Sequence, residues 1–140
     1  MRLRAVVAFI AVFSLLGLAR AVLAHHAFPA EFDVDKPVTL SGVVSKLEWI
    51  NPHVYVYLDV KDSSGKVTTW SLESWPTGIL HRSGVSRDMI KAGTPLTILA
   101  YRAKDGTSLA YIRKFTWSDG HAIETWFGGR DPGQPPARGD

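Results

Sequence analysis

The sequence has no cysteine. That excludes disulfides, thiolate metal sites and a cysteine-linked lipid anchor, so stability has to come from packing. No stretch reaches the about 20 consecutive apolar residues that a membrane-spanning helix needs. Beyond residue 24 the chain also lacks an excess of either charge. The full sequence has 16 Lys+Arg against 13 Asp+Glu, but Arg2, Arg4 and Arg20 precede residue 25 and leave 13 against 13. A general nucleic-acid binder needs surplus cation to displace counterions from phosphates, so that class is excluded. Nor is there a "GxSxG" elbow or comparable nucleophile motif. His121 to Glu124 forms an isolated "HxxE" with no second ligand motif. We therefore assign no catalytic residue, and read the chain as a binding or accessory protein rather than an enzyme.

What is present starts with a leader. Arg2 and Arg4 precede an apolar run over residues 5–18, and the small-residue segment "ARAVLA" closes it at Ala24. That is the n-, h- and c-region order of a secretory signal peptide over residues 1–24. It implies export to the periplasm and no stable membrane anchor once the signal is removed. Cleavage after Ala24 makes His25 the mature N-terminus. Cleavage after Ala21 would leave Val22 in front.

Residues 25–36, "HHAFPAEFDVDK", show no clean period and predict an extended arm with Phe28 and Phe32 as anchors. A β-rich domain follows over residues 37–127. Residues 37–50 are rich in β-branched residues, with Gly42 suggesting a bulge or bend. Residues 53–61 alternate strictly, with Val54, Val56, Leu58 and Val60 on one face and His53, Tyr55, Tyr57 and Asp59 on the other. A third strand spans residues 66–74. Ser74 as cap, Pro76 in the first turn and Gly84 at the end predict a short helix. Ser86 and Gly93 bracket a second short turn. Fourth and fifth strands flank "KDG" at residues 104–106, and "HAIETWF" suggests a sixth. The Gly/Pro-rich tail, residues 128–140, has the composition of a disordered segment. Three strands, a short helix and two or three more strands predict an all-β chain. The expected architecture is a small OB-fold-like Greek-key barrel of five or six strands with the helix between strands three and four. An open β-sandwich is the alternative.

The pieces "AHHAF", "FD" at Phe32-Asp33, "PVTLSGVV", "EWINPH", "AGTPLTI" and "RAKDGTSLA" together resemble the exported bacterial proteins of domain-of-unknown-function family 6152. The resemblance covers most of the chain beyond the leader, up to about Gly120, and its most specific elements are the double histidine and "NPH". It implies export and a small β-barrel, and it makes "HH" and "NPH" one feature of the family's pattern. It brings no catalytic residues with it.

Two binding sites are consistent with these residues. In the first, the amine and imidazole of an N-terminal His25 chelate a divalent metal, with His26 and His53 adding nitrogens and Glu31, Asp33 or Glu48 as oxygen donors. A nitrogen-rich, thiolate-free set suits copper first, then zinc or nickel. In the alternative, Trp49, Tyr55, Tyr57 and Trp70 form an aromatic face for a saccharide, a peptide or an envelope protein. Large aromatics are also ordinary core residues in a small barrel. Arg82, Arg87 and Lys91 form a local basic patch, read as solvated surface.

Overall fold

The computed structural model describes residues 27–125. The expected signal peptide, His25 and His26 before that span, and the tail after it, lie outside the described residues. Within it, the order is α1 (Ala27–Glu31), β1 (Phe32–Glu48), β2 (Tyr55–Lys61), β3 (Val67–Glu73), α2 (Thr77–Arg82), a 3₁₀ turn (Arg87–Met89), β4 (Pro95–Ala103), β5 (Leu109–Trp117) and β6 (Ala122–Glu124). Among the described residues no helix is long and apolar enough to cross a membrane.

The sheet order is β3-β2-β1-β4-β5-β6, and β3 also pairs with β5. This last pairing is parallel, through Ser71–Leu109, Leu72–Ala110 and Glu73–Tyr111. Strands β1 to β5 therefore form a closed ring in which each pairs with two others. That is the OB-like barrel, with α2 as the connection between strands three and four. β6 adds to the outside edge of β5.

One strand can serve two neighbours because β1 is long. Its first part pairs with β4 as far as Val43, and its second part pairs with β2 from Val43 onward. Gly42 sits at this handover. A Cβ there would run into the backbone carbonyl of Asp59, so glycine is needed for close approach. The bulge itself falls later, between Val44 and Lys46.

The alternation in β2 turns Val54, Val56 and Leu58 fully inward. They join Leu72, Ile98, Ala100, Ile112 and Phe115 in the barrel core, which also takes in Leu80, Val85 and Ile90 from the helical connector. At the end of α2 the amide of Gly84 donates to His81 and that of Val85 to Leu80. With Gly84 at φ +91° this is a Schellman ending, and the apolar pair it brings together, Leu80 and Val85, is buried. The helix start differs from expectation. Pro76, not Ser74, occupies the cap position and makes no side-chain capping bond; the first amide of the helix, that of Thr77, donates to Asn51 instead. Ser74 is taken by the sheet instead, its amide donating to the Val54 carbonyl.

The arm expected to be extended over residues 25–36 is not extended throughout its described part. Its "AFPAE" segment makes one helical turn, and β1 already starts at Phe32. A second apolar cluster explains this. Phe32, Tyr101, Ala103 and Tyr111 are buried together, with Phe28, Val34, Trp75 and Leu109 packed against them. Turning the chain at α1 places both Phe28 and Phe32 on that cluster, and the lost hydration of two aromatic rings outweighs weak local propensity.

Candidate functional site

The strand registers place one row of side chains on the outer wall of the barrel. Glu48 lies opposite Tyr55, Tyr55 opposite Glu73, Glu73 opposite Tyr111, and Tyr111 opposite Tyr101. Direct partners point to the same face of a sheet. The inward partners beside them, Leu47, Val56, Leu72 and Ala110, belong to the core. The row thus crosses five strands and changes character along its length. It is charged at Glu48 and aromatic at Tyr111 and Tyr101, where Phe28 and Phe32 cover it.

Glu73 is the pivot. Only 7% of it is exposed, and a buried carboxylate needs hydrogen bonds on its oxygens. His53 Nδ1 contacts Oε1, and the Tyr55 hydroxyl donates to Oε2 at 3.1 Å. A carboxylate only accepts, so the His53 nitrogen facing it carries a proton. In the neutral ring the lone pair is then on Nε2. Among the described residues Glu73 is the only partner of the His53 ring, whose side chain is 45% exposed. The arrangement fixes an imidazole by one nitrogen and presents the other, which is how metal-ligating histidines and general bases are held.

The loop that carries His53 is itself tied down. The Asn51 side-chain oxygen accepts from the amide and the hydroxyl of Thr77, both at 3.1 Å. The Asn51–Pro52 peptide is cis. The electrostatics of the row follow from Glu73. Burial, followed by the charge of Glu73, pushes the Tyr55 phenol up to about 12. The same two causes push Tyr111 up further. The charge of Glu31 adds a smaller contribution at Tyr55. At the other end, Lys46 bonds Glu48 at 2.6 Å and holds that carboxyl below its ordinary value. Tyr57 donates to Glu48 at 3.3 Å, with the Lys46 ammonium 5.0 Å from its ring centre.

The residues singled out from sequence are distributed unevenly around this row. His53 is at its centre, and His25 and His26 lie outside the described residues. Of the proposed oxygen donors, Glu48 is engaged by Lys46 and Tyr57, and Asp33 pairs with Lys36 at 3.4 Å. Of the aromatic face, Tyr55 and Tyr57 are half-buried with their hydroxyls paired. Trp49 meets His81 edge-on at 5.5 Å. Trp70 does not belong to that face. It pairs with Leu58 across β2–β3, is 9% exposed and packs in the core, with the Arg102 guanidinium over its ring. Among the described residues no group of three His, Cys, Asp or Glu side chains could hold a metal ion. Two participants escaped the sequence reading: Glu73 and the contact of Phe28 with Tyr111. Glu73 reads there as an ordinary strand residue; His53, Tyr55 and, through the pairing of β3 with β5, Tyr111 surround it.

The family of unknown function DUF6152 matches residues 12–113. The chain belongs to this family. Its match spans α1 through most of β5, so the whole row from Glu48 to Tyr111, with Phe28 and His53, falls inside the family's region. No curated protein matches the chain, and no solved structure does.

Proposed function

We propose that this member of DUF6152 is an exported periplasmic protein that binds a divalent transition metal, copper first. The ligands are Nε2 of His53, the amine and imidazole of His25 as mature N-terminus, and His26. One observation carries the reading: Glu73 grips His53 by Nδ1 and leaves Nε2 presented beside the patch where the arm is seated. Phe28, two residues after His26, stacks edge-on against Tyr111 at 4.9 Å, and Tyr111 is the strand partner of Glu73. Phe28 and His53 thus both contact the same outer row of the sheet, which supports the reading.

The donor chemistry fits copper. The set is all nitrogen with no thiolate, and the affinity order of divalent ions for such ligands peaks at Cu(II). Glu73 and Tyr55 then act as the outer shell that holds the ligating ring in one orientation. The protein's own part in the chemistry is to bind and orient the ion.

The test is expression of the untagged full chain into a bacterial periplasm, followed by intact mass and metal analysis. The expected result is a chain that begins at His25 and retains copper against a weak chelator, with retention lost in His53→Ala. A chain that begins at Val22, or equal retention by His53→Ala, overturns the reading.

A further inference from the structure

We propose that the rim of the barrel between the start of β1 and the β4–β5 loop binds a small organic oxyanion, a carboxylate or a phosphate ester, held by the Arg102 guanidinium. The site shares no residue with the outer row and does not depend on the metal reading.

The register of β1 opens the space. Phe32 pairs with Ala103, and the next pair is Pro37 with Tyr101. Between these pairs β1 advances five residues while β4 advances two. The surplus chain bulges out of the ladder, and bulges re-aim the side chains they carry. Asp33 and Lys36 lie on this bulge. Opposite them β4 ends at Ala103, and the chain turns through Lys104 to Gly106, where φ is +81°. The Lys104 amide ties the two walls together at one end, donating to the Glu31 carbonyl at 2.8 Å. The result is a cavity of about 390 Å³ lined by Asp33, Lys36, Arg102, Ala103, Lys104 and Gly106. Sites for small organic ligands start at about 300 Å³, so the space is more than a bare ion fills.

Arg102 is the residue out of place. It alternates along β4 with Ile98 and Ala100, both fully buried, and its strand partner Ala110 belongs to the core. An exposed cation at an inward position breaks the strand's local pattern, as happens at functional sites. Its Cζ lies 5.4 Å from the centre of the Trp70 ring, and Nη2 donates to the Gly106 carbonyl at 3.1 Å. Those two contacts orient the group. The ring contact needs no N–H, and Gly106 accepts from one of the five donors. Donors are left for the paired hydrogen bonds that a guanidinium makes with a carboxylate or phosphate.

The charge of the cavity has the matching sign. Its lining carries three cations and one carboxylate. That carboxylate, Asp33, pairs with Lys36 at 3.4 Å. Asp105, on the same loop, is turned onto the amide and hydroxyl of Thr107 at 2.9 and 2.7 Å. The local field therefore favours an anion.

The experiment follows the isotope-labelled full chain by nuclear magnetic resonance as citrate, glucose 6-phosphate or, at matched ionic strength, sodium chloride is added. Citrate and glucose 6-phosphate separate a carboxylate ligand from a phosphate one. Saturable shifts are expected at Arg102 Nε and at the amides of residues 103–107 with at least one of the two, and not with chloride. Arg102→Gln is expected to weaken this binding about tenfold. Arg102→Lys keeps the charge without the fork and is expected to weaken it nearly as much. Lys36→Gln, which alters an exposed side chain, is expected to weaken it about threefold. Should Arg102→Gln fail to fold, Lys36→Gln and the chloride control decide. Equal binding by a folded Arg102→Gln or by Arg102→Lys overturns the proposal. So do shifts that chloride reproduces, binding of neither organic anion, or a Lys36→Gln chain that binds as the parent does.

Discussion

The imidazole of His53 and the carboxylate of Glu73 are joined through Nδ1 and Oε1, one side exposed to solvent and the other almost fully enclosed. This pairing has direct consequences for stability. Glu73→Ala removes the acceptor of both His53 and Tyr55. A loss of about 1–3 kcal/mol is expected from polar groups left without partners, measured as a lower urea midpoint with the slope unchanged. Glu73→Gln preserves shape and is expected to cost less. It also releases the His53 ring to exchange tautomers, which nitrogen chemical shifts of the ring would report.

The phenols of the row predict the alkaline limb of stability. Tyr55 ionises at about 12 in the folded chain against an ordinary value of 10.0, and Tyr111 is raised as well. Their folded values lie above their unfolded ones, so the neutral phenols contribute in full below pH 10. That contribution is lost as the pH rises through the folded values. Phenolate absorbance should show Tyr55 and Tyr111 titrating late. In Glu73→Gln both should move down part of the way, because the charge of Glu73 is removed while burial, the larger cause, remains. Unchanged midpoints in that variant would show that Glu73 does not act on them.

Gly42→Ala is expected to destabilise the barrel by about 1–3 kcal/mol. The added carbon meets the Asp59 carbonyl, a backbone atom that cannot swing aside as a flexible side chain can. Thermal unfolding would register this. A melting temperature equal to the parent's would show that the β1–β2 crossing has room to relax.

Ser74→Ala is expected to move stability the other way, by up to about 1 kcal/mol. The Ser74 hydroxyl is buried and has no hydrogen-bond partner among the described residues. Its backbone amide keeps its bond to Val54 in the variant. A loss of stability in chemical unfolding would show that the hydroxyl has a partner after all.

Much of the barrel is legible from local pattern. The alternation in β2, the turns at "KDG" and at Ser118 to Gly120, and the Gly84 ending each depend on residues close in sequence. The interior follows from them. The exterior does not. The charges at Asp33, Asp35 and Lys36 hide the fact that β1 begins at Phe32, because that part of the strand lies along the surface beside β4. Trp70 reads equally well as ligand platform or core, and only its pairing with Leu58 decides for the core. Ser74 has the chemistry of a helix cap, yet the cap position falls two residues later, at Pro76, and the Ser74 hydroxyl caps nothing. Glu73 is a buried acid with His53 and Tyr55 on its oxygens and Tyr111, far along the chain, set beside it. His53 could be picked out from "NPH", but its partner could not, since nothing near either residue in sequence links them.

The parallel contact between β3 and β5 gives the outer row two halves of different origin. His53, Tyr55 and Glu73 come from one hairpin and its approach, so a chain that has formed only that hairpin can already pair them. Tyr111, and with it the seat for Phe28, arrives only when the ring closes across the helical connector. Contacts of such long sequence separation form slowly. During folding, the chain would then pass through a stage with His53 paired to Glu73 and the seat for Phe28 not yet formed. The order of events keeps the arm out of the barrel until the barrel exists to receive it.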